Sequence, residues 1–300
     1  MSKEPDVDYG DDVVAVPLRH PWRWISGIIA SALLLSFIYS LVSAKSIQHD
    51  LIAKFLFDRR ILEGALVTVV VTIICMAIAT VLATVLAIMK LSVNPLQRWL
   101  ATGFIEFFRG TPLLLQIVFW GYLGIIFPQL FLGIPFTNIV FISGDTSDII
   151  PAIVAGIIAL SLNEAAYSAE IVRAGILAVD QGQTEAAKSL GMSGGYTMRR
   201  IVLPQAMRVI IPPMGNEFIG MLKNTSLLQV IAVAELYTQA STISSANLAQ
   251  IELLVVSGFW YLVMTTVLGF PQRALEKKFG RGFETVGGRG APRAFKVGKR

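Results

Sequence analysis

Four stretches of this chain, 24–44, 64–89, 110–144 and 253–272, contain no charged residue over twenty positions or more. A bilayer core about 30 Å thick is crossed by roughly 20 apolar helical residues, so each stretch is long enough to span it. Composition agrees: 54% of the 300 residues are hydrophobic and 15% charged, against about 45–50% and about 25% in soluble domains. Mean hydropathy is +0.66. These values exclude an ordinary soluble enzyme. The first run follows an acidic segment (Glu4, Asp6, Asp8, Asp11, Asp12) and exceeds the roughly 7–15 residues of a signal-peptide core, so an uncleaved span is expected.

Cysteine and histidine chemistry is sparse. Cys75, the single cysteine, lies mid-run, and His20 and His49 sit on opposite sides of the first run. No intrachain disulfide, metal site or His-centred catalytic cluster is expected from them. The net charge of +5 collects beside the apolar runs and in the tail, which suits lipid flanks rather than nucleic acid.

The sequence predicts an all-α integral membrane protein with about six helices, near 23–43, 62–90, 98–127, 150–173, 206–234 and 250–271. Glu164, Glu170, Glu217 and Lys223 interrupt the fourth and fifth, and Pro212-Pro213 is expected to bend or break the fifth. With the amino terminus inside, nineteen Lys and Arg fall inside and four outside (Lys45, Lys54, Arg59, Arg60), so both termini are placed in the cytoplasm. Segment 46–61 carries Leu51, Ile52, Phe55 and Leu56 at helical spacing, which suits an interfacial helix or a solvated loop. From Gly280 the tail is rich in Gly, Lys and Arg, and disorder is expected.

The connection between helices four and five is about thirty residues long, well beyond the usual two to eight. Asp180 with Gln183 resembles a capping box, QTEAAKSL is strongly helix-forming, and Gly191 is placed to end the helix at positive φ. A short surface helix is predicted, with Ala186, Ala187 and Leu190 as its small apolar face and Glu185 pairing with Lys188. Pro204 closes the segment.

EAAKSLGMSGGYTMRRIVLP at 185–204 resembles the Glu-Ala-Ala-x3-Gly-x9-Ile-x-Leu-Pro loop of permease subunits of binding-protein-dependent ABC importers. Glu185, Ala186, Ala187, Gly191, Ile201, Leu203 and Pro204 carry the match. FRGTPLLLQ (108–116), NEAAYSAEIVR (163–173), PPMGNE (212–217) and KNTSL (223–227) resemble the polar amino acid uptake subfamily. The likeness covers roughly 62–273. It implies a type I importer fold and a dimeric pathway formed with an identical or homologous permease chain in a bacterial inner membrane. It also implies a solute-binding protein outside and a cytoplasmic ATP-binding subunit dimer inside, the latter docking the loop helix as a coupling helix. The chain then divides into an acidic cytoplasmic segment (1–22), a first span with its outside segment (23–61), a permease core (62–273) with coupling loop 180–204, and a basic tail (274–300). The sequence has no Gly-x4-Gly-Lys-Ser/Thr loop, so ATP and its magnesium are expected on the ATPase partner and no cofactor on this chain.

Carboxylates near mid-bilayer cost at least about 2.5–3.5 kcal/mol, so Glu164, Glu170 and Glu217 should face a cavity or a partner. Asn163, Tyr167, Glu170 and Ala174 share a helical stripe, and with Glu164, Arg109, Gln116, Asn216 and Lys223 they are candidates for substrate contact or pathway lining. Glu164 is the first choice for an amino group or cationic side chain. An ion-pair set is the alternative: Glu170 with Arg173, and Glu217 or Glu164 with Arg109 or Lys223. Arg109-Gly110-Thr111-Pro112 is expected to break the third helix, freeing carbonyls that need a partner or water. An ion-coupled secondary transporter would use the same carboxylates without needing the 185–204 loop, and no nucleophile, base or metal set suggests a membrane enzyme.

Overall fold

A computed structural model describes residues 21–44, 47–134 and 140–279. The first 20 residues and the tail expected to be disordered lie outside the described residues. The chain forms two units, one ending at Gln48 and one beginning at His49. The first carries α1 (Pro21–Val42), with an apolar stretch Trp24–Ser40.

The second unit opens with α2 (His49–Leu56) and α3 (Arg59–Leu91). Asp58 caps α3 by accepting the Arg60 amide at 2.9 Å. The Arg60 side chain, hydrogen-bonded to it, holds its carboxyl below the ordinary range. There follow α4 (Pro95–Gly110), α5 (Leu113–Gly121), α6 (Leu123–Ile126), strands β1 (Gln129–Gly133) and β2 (Val140–Asp145), α7 (Thr146–Ile149) and α8 (Ala152–Leu177). Then come α9 (Gln181–Ser189), α10 (Gly194–Thr197), a π-helical turn Met198–Val202, α11 (Leu203–Asn224), a 3-10 turn Thr225–Ile231, α12 (Leu236–Asn247) and α13 (Gln250–Phe279).

Among the described residues three helices, α3, α8 and α13, are long and apolar enough to cross a membrane, and the bent pair Gly194–Ile231 with Leu236–Asn247, at 45°, makes up to four. The expected third helix at 98–127 is instead α4, α5 and α6. Pro112 lacks an N–H and restricts Thr111, so the helix cannot pass through. The fifth behaves in the opposite way: α11 continues through Pro212-Pro213, and the chain turns later, where Ala232 takes φ 57.

An entirely helical chain is corrected by the antiparallel pair β1–β2, in which Gln129 faces Asp145 and Phe131 faces Ser143. Pro128 stops the preceding helix, and the β-branched and aromatic residues beyond it favour strand. α12 replaces what reads as a loop. The apolar residues of α2 face protein rather than lipid: Leu51, Ile52, Phe55 and Leu56 pack with Leu253 and Val256 of α13, and Trp260 Nε1 donates to the Leu56 carbonyl at 2.7 Å.

Alanine sets the spacing between α3 and α8. Ala79, Ala83, Ala87, Ala155, Ala159, Ala165 and Ala169 have no exposed surface, which lets the two backbones approach closely in a medium where hydrophobic exclusion does not drive helices together. Val71, Cys75, Met76, Ile117, Leu160, Met221 and Leu228 fill the adjoining core. At Gly156 an added Cβ would lie 2.6 Å from Leu228 Cδ2, so a larger residue there would have to displace the buried Leu228 side chain.

Candidate functional site

The break between α4 and α5 organises the polar interior. Gln116 Nε2 donates to the carbonyls of Phe108 (3.0 Å) and Thr111 (3.1 Å) and to Thr111 Oγ1 (2.8 Å). Asn163 Nδ2, from α8, donates to the Phe108 carbonyl at 3.0 Å and to Gln116 Oε1 at 3.1 Å. Both amides are buried. They supply the partners that an interrupted helix needs away from water.

One residue further along α8 the environment changes. Glu164 is 4% exposed and accepts from Ser168 Oγ at 2.6 Å. Glu217 of α11 is half-buried. No Lys or Arg among the described residues forms an ion pair with either carboxylate. Arg109 instead lies over the Tyr167 ring, with Cζ 5.3 Å from its centroid.

Towards the end of α8, Glu170 takes Lys90 Nζ of α3 at 2.6 Å and Arg173 Nη2 at 2.8 Å. The expected stripe therefore resolves into three parts: a clamp on the helix break at Asn163, an unpaired carboxylate at Glu164 and an ion triad at Glu170. Of the ion pairs considered from sequence, Glu170–Arg173 forms, whereas Glu164 and Glu217 pair with neither Arg109 nor Lys223. Asn216 and Lys223 are exposed, and their side chains make no hydrogen bond among the described residues.

The loop helix is built from local signals. Asp180 Oδ1 accepts the Gly182 amide at 2.8 Å. At the other end Gly191 has φ +75, its amide reaches the Lys188 carbonyl at 2.9 Å, and the Met192 amide reaches the Ala187 carbonyl at 3.0 Å. That pair of bonds is a Schellman closure, and the positive φ requires glycine. The predicted small face divides: Ala187 is buried, while Glu185, Ala186 and Leu190 are exposed, Leu190 at 82%. Glu185 and Lys188 form no ion pair among the described residues. Ile201 is half-buried in the π-helical turn, and Leu203 and Pro204 open α11 with exposed side chains.

Two interior polar positions were not singled out from sequence. Lys90 counted only as a flanking charge, and its spacing from Glu170 gives no signal of the pair. Glu235 lies in the stretch read as a loop, yet it is fully buried and caps α12. It accepts from the amides of Tyr237 (2.9 Å) and Thr238 (2.7 Å), from Thr238 Oγ1 (2.8 Å) and from Tyr261 OH of α13 (2.8 Å). The signal available was an acidic residue immediately before the helix-compatible run LYTQAS.

Residues 79–281 match the family described as binding-protein-dependent transport system inner membrane component. The arginine transport system permease protein ArgU of Corynebacterium glutamicum is 44% identical over 272 residues, covering 90% of this chain and 84% of that protein. The probable glutamine ABC transporter permease protein GlnM of Bacillus subtilis is 37% identical, covering 66% and 82% respectively. Among solved structures, an amino acid ABC transporter with histidines shares 34% identity and a TM-score of 0.63, covering 75% of this chain and 97% of that one.

Proposed function

The chain belongs to the family of binding-protein-dependent transport system inner membrane components, and from that membership we propose how its residues work. It is a transmembrane permease subunit of an amino acid ABC importer. On our reading its six crossings are α1, α3, the broken pair α4–α5, α8, α11 and α13, with both termini on the cytoplasmic side of a bacterial inner membrane. α9 is the coupling helix. Its partners are a cytoplasmic ATP-binding subunit dimer, which holds the ATP and magnesium, a solute-binding protein outside, and a second permease chain.

The observation that carries this reading is α9 itself, a capped and Schellman-closed helix with Glu185, Ala186 and Leu190 exposed, in a connection that the count of Lys and Arg assigns to the inside. A rigid helix with a small exposed surface can enter a groove and pass on rigid-body motion. Ile201, Leu203 and Pro204 continue it into α11, so displacement of α9 moves a helix packed on α8.

Glu164 is the residue we assign to the substrate's α-amino group or cationic side chain, with Glu217 adding to the local negative field. Tyr167 and Arg109 line the same face. Asn163 and Gln116 shape the wall by holding the α4–α5 break, and Glu170 with Lys90 and Arg173 ties α8 to α3.

The test is to purify the chain from its native membrane in mild detergent and measure ATP hydrolysis in what comes with it. Co-purifying ATPase activity that is lost in both Glu185→Arg and Gly191→Trp is the expected result. A chain that purifies alone, without hydrolysis, overturns the proposal and favours ion-coupled transport.

A further inference from the structure

A large cavity lies apart from the Asn163 to Glu170 face. It holds about 740 Å³ between α3, α11 and α13, reaching from Ile73, Ile219 and Leu268 at one end to Thr84, Leu203 and Leu275 at the other. At 1.5 Å per residue that is about 17 Å along α3 and about 24 Å along α11.

Its few polar groups are already committed. Thr80 and Thr84 hydroxyls donate to the carbonyls of Met76 and Thr80 at 2.7 and 2.8 Å. Gln272 Nε2 donates to the Pro212 carbonyl and to Glu276 at 2.8 and 3.0 Å. With no free donor in its wall, the cavity has nothing to hold a polar solute, and an apolar rod is the shape that fills it.

Three cations outside the lining itself fall near the Leu203 and Leu275 end by their positions along the chain. Arg208 continues the i+3, i+4 stripe of Ile211, Gly215 and Ile219, which line the cavity, and Lys278 lies three residues beyond Leu275. Arg200 precedes Leu203 by one turn. All three are exposed and form no ion pair among the described residues. Arg200 lies over the Tyr196 ring and Lys278 over the Phe279 ring, contacts that leave their charges unneutralised, and an apolar slot between spans that ends in such cations fits a molecule with a long apolar tail and an anionic head.

We propose that this groove binds one anionic phospholipid, an acyl chain lying between α3, α11 and α13 and the phosphate at Arg200, Arg208 and Lys278. The leaflet, cytoplasmic, follows from the orientation proposed above; occupancy does not depend on it.

The complex purified from native membrane in mild detergent, then analysed by native mass spectrometry and solvent extraction, should retain about one phosphatidylglycerol-type lipid per chain. Val81→Phe, which fills the groove, is expected to lower retention at least about tenfold, with Leu254→Phe at the far end of α13 unchanged. Arg208→Gln with Lys278→Gln should keep the fold and lose, by about tenfold, the preference for phosphatidylglycerol over phosphatidylcholine when each is added to delipidated protein. Equal retention in Val81→Phe, or no lipid in the wild type, overturns the proposal. So does displacement by inorganic phosphate, which would mark a free-anion site, or disulfide cross-linking of Val81→Cys to a second copy, which would mark a protein interface. Transport failing while lipid retention persists would count against the importer reading alone.

Discussion

Glu164 combines burial with the absence of a cationic neighbour. Among the described residues its one hydrogen bond is from Ser168 Oγ, and no Lys or Arg forms an ion pair with it. Burying a charge without a partner destabilises a protein, whereas a hydrogen bond to a charged group stabilises by about 1.5–3 kcal/mol. Glu164→Gln should therefore separate binding from folding: uptake of a cationic amino acid falls at least about tenfold, while the melting temperature in detergent stays level or rises. A variant that melts earlier and transports at an unchanged rate would assign Glu164 to structure. Gln116 predicts the opposite pattern. Gln116→Leu withdraws the donor to the Thr111 carbonyl and hydroxyl, leaving that hydroxyl its own bond to the Phe107 carbonyl, and removes one of two donors to the Phe108 carbonyl, a loss of about 1–3 kcal/mol that thermal denaturation reads directly. Residue type alone pointed to Asn163 and Gln116 as polar and intramembrane. Their shared duty was not legible, because they are 47 positions apart and meet only through the geometry of the break.

At the scale of elements, local chemistry was readable and tertiary support was not. The helix expected from Asp180 to Gly191 is α9, Gln181–Ser189, because cap, propensity and terminating glycine all lie within a dozen residues. α12 was missed for the converse reason. Its threonines and serines are indifferent helix formers, and its start depends on Glu235, which is held by Tyr261 on another helix. α3 shows a cap of the local kind that responds to pH. The Asp58 carboxyl is held below its usual range by Arg60, so its contribution is complete above the unfolded value of about 3.9. It is lost only as pH falls through the lower folded value. Hydrogen exchange of the first turn of α3 should be flat from pH 7 to 5, once intrinsic rates are removed, and accelerate below about pH 4. Asp58→Asn should keep most of the cap at neutral pH and abolish that acid dependence.

The whole molecule joins a tight alanine seam to polar interruptions placed where helices must move or part. The seam between α3 and α8 makes them one rigid element, and the Lys90–Glu170 pair ties the same helices at 2.6 Å near their ends. On the proposed reading, motion entering at α9 would reach α11 through the π-helical turn, and α11 packs on α8 through Val172, Ala206 and Ile210. Such a transmission works only if α9 faces the compartment that holds ATP while α12 faces the other side. Cys75 has no exposed surface, so single cysteines at exposed positions report cleanly. A membrane-impermeant thiol reagent should label Ser245→Cys in α12 on intact cells, or on spheroplasts where an outer membrane intervenes, and Ser189→Cys in α9 only after permeabilisation. The reverse pattern would place α9 away from ATP and remove the coupling role, whatever the likeness of its sequence.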